Sequence, residues 1–188
     1  MHTQIIIFIS GAGSNAREII RYFDGNEAIK VCGVVSSKEN SEMATFCENQ
    51  GVAFKFINGQ DFSAYLDYCK QQNAQWIILA GFLKKIPAEL IAAYPDKIIN
   101  IHPSLLPNYG GAGMYGNKVH LAVAAAQENF SGISIHLVNE EFDKGKLLFQ
   151  HAQKLPAHAN AEEIETIVRS LEMKHFSTDI EHYIAQHT

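Results

Sequence analysis

The chain has 188 residues, 47% hydrophobic and 19% charged, a balance that excludes a disordered protein and provides one large core without disulfides. Fifteen Lys and Arg stand against twenty Asp and Glu, and the net charge of −5 excludes a nucleic-acid binder that relies on a broad basic surface. Cys32, Cys47 and Cys69 form no CxxC pair, no basic start precedes the first apolar run, and no run reaches the ~20 residues of a membrane span. The expectation is a soluble, cytoplasmic protein with reduced thiols and no membrane partner.

Residues 5–10 form a continuous apolar run that reads as a buried parallel strand. Residues 15–24 follow as a helix, with Ala16, Ile19, Ile20 and Phe23 at helical spacing and Gly25-Asn26 ending it. A Val- and Ile-rich strand is predicted over 29–36, a helix over 40–51 and a short strand over 52–57. The next helix, 61–72, places Phe62, Tyr65, Leu66 and Cys69 on one face. A strand over 76–81 and a helix over 87–93 follow, the latter with Pro87 in its first turn. Residues 97–102 read as a strand stopped by Pro103, residues 107–116 as a glycine-rich loop and residues 119–127 as an alanine-rich helix. Strands over 132–138 and 147–154 come next. Asn160 and Glu163 resemble a capping box opening a last helix that runs to about residue 183. The alternation implies an α/β, doubly wound, mostly parallel sheet with helices on both faces, Rossmann-like, with an antiparallel addition near the C-terminal half. Ligands of such sheets bind at the carboxyl ends of strands. Here those ends are the segments 11–15, 81–85 and 100–107.

The first of these is Ser10-Gly11-Ala12-Gly13-Ser14-Asn15. Glycines let the backbone approach a ligand, and the following helix N-terminus offers free N–H groups suited to a phosphate. Gly11, Gly13 and Ala16 also satisfy a loose GxGxxG/A pattern. The predicted second strand closes on Ser36-Ser37-Lys38, without the acidic residue that would hold a ribose, so NAD is disfavoured. A tight turn with no ligand is the plain alternative. In Asn100-Ile101-His102-Pro103, Asn100 and His102 share one strand face, and Pro103 keeps His102 extended. An amide beside an imidazole at a strand end suits an oxyanion site for acyl transfer. On residue types alone, capping of the strand and loop is the commoner role for such a pair.

Four stretches together, SGAGSN, GFLKKIP, NIHPSLLP and SIHLVNEEFDKG, closely resemble the folate-dependent formyltransferases, in the same order and over nearly the whole chain. The resemblance implies transfer of a formyl group from 10-formyltetrahydrofolate, as co-substrate, to the amine of glycinamide ribonucleotide in de novo purine synthesis, through a tetrahedral oxyanion and with no metal. It implies one formyltransferase domain over 1–188, with a nucleotide-binding half (1–99) and a folate-binding, catalytic half (100–188). Asn100, His102 and Asp143 fall on the catalytic trio, and His136 lies near the site. Asp143 is expected to favour a charged His102, and by itself it also reads as an ordinary turn aspartate. Gly11, Gly13, Ser14, Asn15, Gly111 and Glu172 fall to the nucleotide, with His120 a further candidate. Phe82, Leu83, Lys84, Lys85, Ile86, Val138, Asn139, Glu140 and Asp143 fall to folate, with apolar side chains sandwiching the pterin. Lys84-Lys85 stands where many members carry arginine, and lysine cannot form a bidentate fork with a carboxylate. The Leu106–Pro107 bond is expected to be cis. The length fits a bare formyltransferase domain without the appended domains of two relatives. The expected partners are small molecules only, on a monomer or homodimer. The alternatives are a formyltransferase acting on a sugar-nucleotide amine and a non-catalytic nucleotide-binding module.

Overall fold

Ile5, Ile6, Ile7, Phe8 and Ile9 have no solvent exposure at all, and the sheet is built outward from them. Burying each side chain is worth ~2 kcal/mol, enough to fix this segment at the centre. The computed structural model describes residues 2–58 and 61–187, with Phe62 described by its backbone only. Two compact units divide the chain: the first runs to Ile99 and includes His187, and the second spans Asn100–Gln186.

In the first unit, β1 (Thr3–Ile9) pairs in parallel with β2 (Ile29–Ser36) and β4 (Trp76–Leu79), and β2 with β3 (Ala53–Phe56). Helix α1 (Ser14–Tyr22) buries Ala16, Ile19 and Ile20, as its spacing predicts. It ends earlier than expected, with Phe23 as its cap, where Asp24 N–H turns to the Arg21 carbonyl in a tighter i→i−3 bond. Asn40 caps α2 (Ser41–Asn49) by accepting from Met43 N–H. Helix α3 (Phe62–Gln71) buries Tyr65, Tyr68 and Cys69, whereas Leu66 is only half-buried. Tyr65 and Cys69 are buried as expected, Tyr68 is buried where Leu66 is expected, and the Phe62 side chain lies outside the described residues. Pro87 precedes α4 (Ala88–Ala93) with extended geometry, as its cap and not within its first turn. All three cysteines are free, and burial pushes their thiols up to about 11 at Cys32 and Cys47 and about 12 at Cys69.

Strand β5 (Ile98–His102) begins in the first unit and ends in the second. The second unit adds α5 (Asn117–Ala125), β6 (Phe130–Leu137), β7 (Leu147–Lys154) and α6 (Ala161–Ala185), whose Asn160–Glu163 capping box is present as expected. Strand order is β3-β2-β1-β4-β5-β6-β7, and β6 and β7 are antiparallel, the expected addition. Every residue of β6 from Ser131 to Leu137 is buried, its polar alternate positions included. Ser134 explains part of this. Its hydroxyl donates to the Ser104 carbonyl at 2.6 Å and accepts from Leu106 N–H and Gln150 Nε2, both at 2.9 Å. The polar face of β6 is thus a second interior, satisfied by the segment that follows β5. Among the described residues no helix is long and apolar enough to cross a membrane.

Candidate active site

Two strands and one turn of the second unit bring four polar side chains together. Asn100 and His102 stand two apart on β5 and share a face. His136 comes from the buried polar face of β6, and Asp143 from the turn after it, held in the left-handed region at φ 57°. Asn100 Nδ2 lies 3.0 Å from His136 Nε2. Asp143 Oδ2 lies 3.5 Å from His102 Nδ1, and its Oδ1 lies 3.6 Å from His136 Nε2. The side chains of both histidines and of Asp143 are at most 10% exposed.

Carbonyl neighbours determine the tautomers. His136 Nδ1 lies 2.7 Å from the Leu137 carbonyl, which can only accept, so Nδ1 carries the proton and Nε2 accepts from the Asn100 amide. The second N–H of that amide is left for another acceptor. His102 Nε2 donates to the Tyr109 carbonyl at 2.8 Å, which leaves the Nδ1 lone pair turned toward Asp143. Asp143 favours the charged form of His102, as expected, but it is not the larger influence. Burial, the larger influence, pulls the His102 pKa below the ordinary imidazole value, against the opposing pull of Asp143 and the Tyr109 carbonyl. Burial also pushes the Asp143 carboxyl up, but His136, His102 and the Gly111 N–H together outweigh it and hold it below the usual range. The resting pair at neutral pH is a neutral imidazole beside a carboxylate.

Local contacts fix the turn that carries Asp143. Gly111 N–H donates to Asp143 Oδ2 at 2.8 Å. Asn139 accepts from Glu141 N–H and donates to the Lys144 carbonyl. A Cβ at Gly145 would run into the Leu137 carbonyl, so only glycine lets the turn close on β6. Tyr109, also left-handed at φ 56°, directs its carbonyl at His102. Neither Tyr109 nor the Gly111–Asp143 bond was legible in sequence, because both act through backbone atoms. Gly111, expected at the nucleotide, gives its N–H to Asp143. The Leu106–Pro107 bond is cis, as expected.

The other expected residues divide by burial. Phe82 is only 9% exposed, and its ring packs 5.4 Å from that of Phe8 and 5.7 Å from that of Tyr65. Ile86 is 6% exposed. Both side chains are buried, while Leu83, Lys84 and Lys85 are exposed. Val138 is half-buried, and Asn139 and Glu140 are exposed. Glu172 is half-buried on α6. His120 is 5% exposed on α5, and its Nδ1 has no hydrogen-bond partner among the described residues.

In the first unit, Gly13 caps α1 at φ 79°, where a Cβ would press on Met43 Sδ at 2.9 Å and Ile9 Cδ1 at 3.3 Å. Gly11 accepts from Asn40 Nδ2, Ser14 opens α1, and Asn15 is buried. No carboxylate sits in the first turn of α1. The Ser10 hydroxyl accepts from Leu83 N–H at 2.9 Å and meets the Ser37 hydroxyl at 2.7 Å, tying the glycine loop to the segment after β4. Ser10→Ala leaves both partners unsatisfied and is expected to cost about 2 kcal/mol. Urea unfolding checks this, and an unchanged midpoint contradicts it.

Acid sensitivity follows from two buried histidines. Burial lowers the pKa of His102 and of His120. The unfolded chain takes up these protons near pH 6.5 and the folded chain only below it, so acidification through that window favours unfolding. Tm is expected to fall from pH 7 to pH 5, and to fall less in His120→Leu. Equal slopes in the two proteins would exclude His120 as a contributor.

The sequence matches the formyl transferase family model over residues 3–180. It is 37% identical over 170 residues to the chloroplastic phosphoribosylglycinamide formyltransferase of Arabidopsis thaliana, covering 86% of this chain and 58% of that one. It is 31% identical over 183 residues to the phosphoribosylglycinamide formyltransferase of Bacillus subtilis strain 168, covering 93% and 91%. The crystal structure of phosphoribosylglycinamide formyltransferase from Brucella melitensis matches with a TM-score of 0.85 at 28% identity, over 97% of this chain and 96% of that one. The chain spans little more than half the length of the plant relatives it matches. Matched from residue 3 to residue 180 and folded like that solved structure, this chain belongs to the formyl transferase family.

Proposed function

We propose that the protein transfers a formyl group from 10-formyltetrahydrofolate to the amine of glycinamide ribonucleotide. The observation that carries this reading is the cluster of Asn100, His102, His136 and Asp143 in a chain of this family. The amine lone pair attacks the formyl carbon and a tetrahedral oxyanion forms. His136 engages one N–H of the Asn100 amide and so orients the other toward that oxyanion. The amine must then lose a proton, and N10 of the folate must gain one as the oxyanion collapses and the bond from the formyl carbon to N10 breaks. Asp143 holds the water that carries it, and the free Nδ1 of His102 accepts charge in transit, between Asp143 and the Tyr109 carbonyl. Every donor in this scheme comes from the protein, without a metal.

The nucleotide phosphate goes to the backbone N–H groups around Gly11, Gly13, Ser14 and Asn15, and the ribose hydroxyls to Glu172. Folate goes to exposed Leu83, Lys84 and Lys85 and to the backbone of Phe82 and Ile86, together with Val138, Asn139 and Glu140. The protein works in the cytoplasm, as three free thiols, two of them buried, suit a reducing compartment. The test follows tetrahydrofolate release from a 10-formylfolate donor. Glycinamide ribonucleotide is expected to give turnover; turnover only with a sugar-nucleotide amine would overturn the assignment.

A further inference from the structure

A cavity of about 260 Å³ opens in the second unit, formed by the loop after β5, by α5 and by the start of β6. An engineered cavity of about 150 Å³ holds benzene, so this one takes a molecule of roughly ten heavy atoms. Ser131 lines it, is 2% exposed, and its hydroxyl has no hydrogen-bond partner among the described residues. A buried hydroxyl left unpaired costs about 1–3 kcal/mol, which a ligand that bonds it recovers. Leu105 and Val123 supply apolar wall, and Phe130, 52% exposed, supplies an aromatic face near the opening. The one charged group in the lining is Glu128, also exposed, and no lysine, arginine or histidine lines the cavity. A phosphate or carboxylate ligand is therefore disfavoured.

We propose that this cavity is a second small-molecule site, for an amine with an apolar or aromatic body and a hydroxyl at its far end. The hydroxyl pairs with Ser131, the body fills the space beside Leu105 and Val123, and the ammonium meets Glu128 beside the Phe130 ring. Tyr109 links this site to the candidate active site. Its hydroxyl donates to Glu128 Oε1 at 2.7 Å, and its carbonyl accepts from His102 Nε2. Occupancy therefore reaches the His102 imidazole through one residue. The proposal concerns binding and stands apart from the identity of the transferred group.

The test is calorimetry and amide NMR on the full chain with tyramine as probe. Phenethylamine, which lacks the hydroxyl, and 3-(4-hydroxyphenyl)propionate, which reverses the charge, serve as controls. Tyramine is expected to saturate at millimolar concentration or below, to shift the amides of Tyr109, Phe130 and Ser131 and the His102 ring signals, and to bind about tenfold more tightly than either control. Glu128→Gln keeps an acceptor for the Tyr109 hydroxyl and removes the charge, and it should erase the preference over the propionate. Ser131→Ala should erase the preference over phenethylamine. Absence of saturation by about 10 mM, equal binding of the three probes, or shifts centred away from the cavity would overturn the site.

Discussion

Asp143→Asn is expected to lower kcat by about a thousandfold while changing KM for the nucleotide less than about threefold. Asparagine tolerates the left-handed backbone that Asp143 adopts, and its carbonyl can still accept from Gly111 N–H, so the turn survives. Lost is the negative charge facing Nδ1 of His102 and the acceptor that would hold the shuttling water. The burial that keeps His102 neutral would then act with less opposition, and the imidazole would be harder still to charge. Steady-state kinetics on both substrates provides the measurement, with thermal unfolding as the control for folding. A variant with unchanged kcat and a raised nucleotide KM would move Asp143 from proton transfer to substrate binding.

Gly132→Ala is expected to destabilise the protein by about 3 kcal/mol, at the upper end for an overpacked interior. Gly132 lies on β6 opposite Ala152 of β7. A Cβ there would collide with the His151 carbonyl and stand 3.0 Å from Ala152 Cα, both backbone atoms that cannot swing aside. Only Leu105 Cδ2, at 2.8 Å, is free to move. Relief requires the two strands to separate, and β6 also carries His136, so activity should fall with stability. Gly11→Ala is the matched control, since a Cβ at Gly11 meets nothing within 4 Å. Urea unfolding with both variants decides the matter, and matching midpoints would contradict it.

The two substitutions mark where sequence reasoning carries and where it stops. The 3.6- and 2-residue periods place β1, α1 and the long α6 with little error, because burial of apolar side chains acts locally and repeats along the chain. On β6 the polar alternate positions, Ser134 and His136, are buried against partners from other segments, which periodicity alone does not show. On α3, spacing alone does not separate Leu66 from Tyr68, and packing selects Tyr68. The Phe82 ring, expected at the folate, also packs on Phe8 and Tyr65, a contact that its place in the sequence does not show.

By itself the sequence determined the α/β layering, the paired positions of Asn100 and His102 on one strand face, and, through its motifs, the family. Those features depend on residue type and short-range spacing, which the chain carries in one dimension. Tertiary structure alone decided the protonation of the site. His102 is neutral because burial outweighs its carboxylate neighbour, its tautomer is set by the carbonyl of Tyr109, and Asp143 stays ionised because two imidazoles and the Gly111 N–H surround it. These are contests between desolvation and contact, with partners 7 to 41 positions apart in the chain, and only the folded backbone brings them within a hydrogen bond's reach.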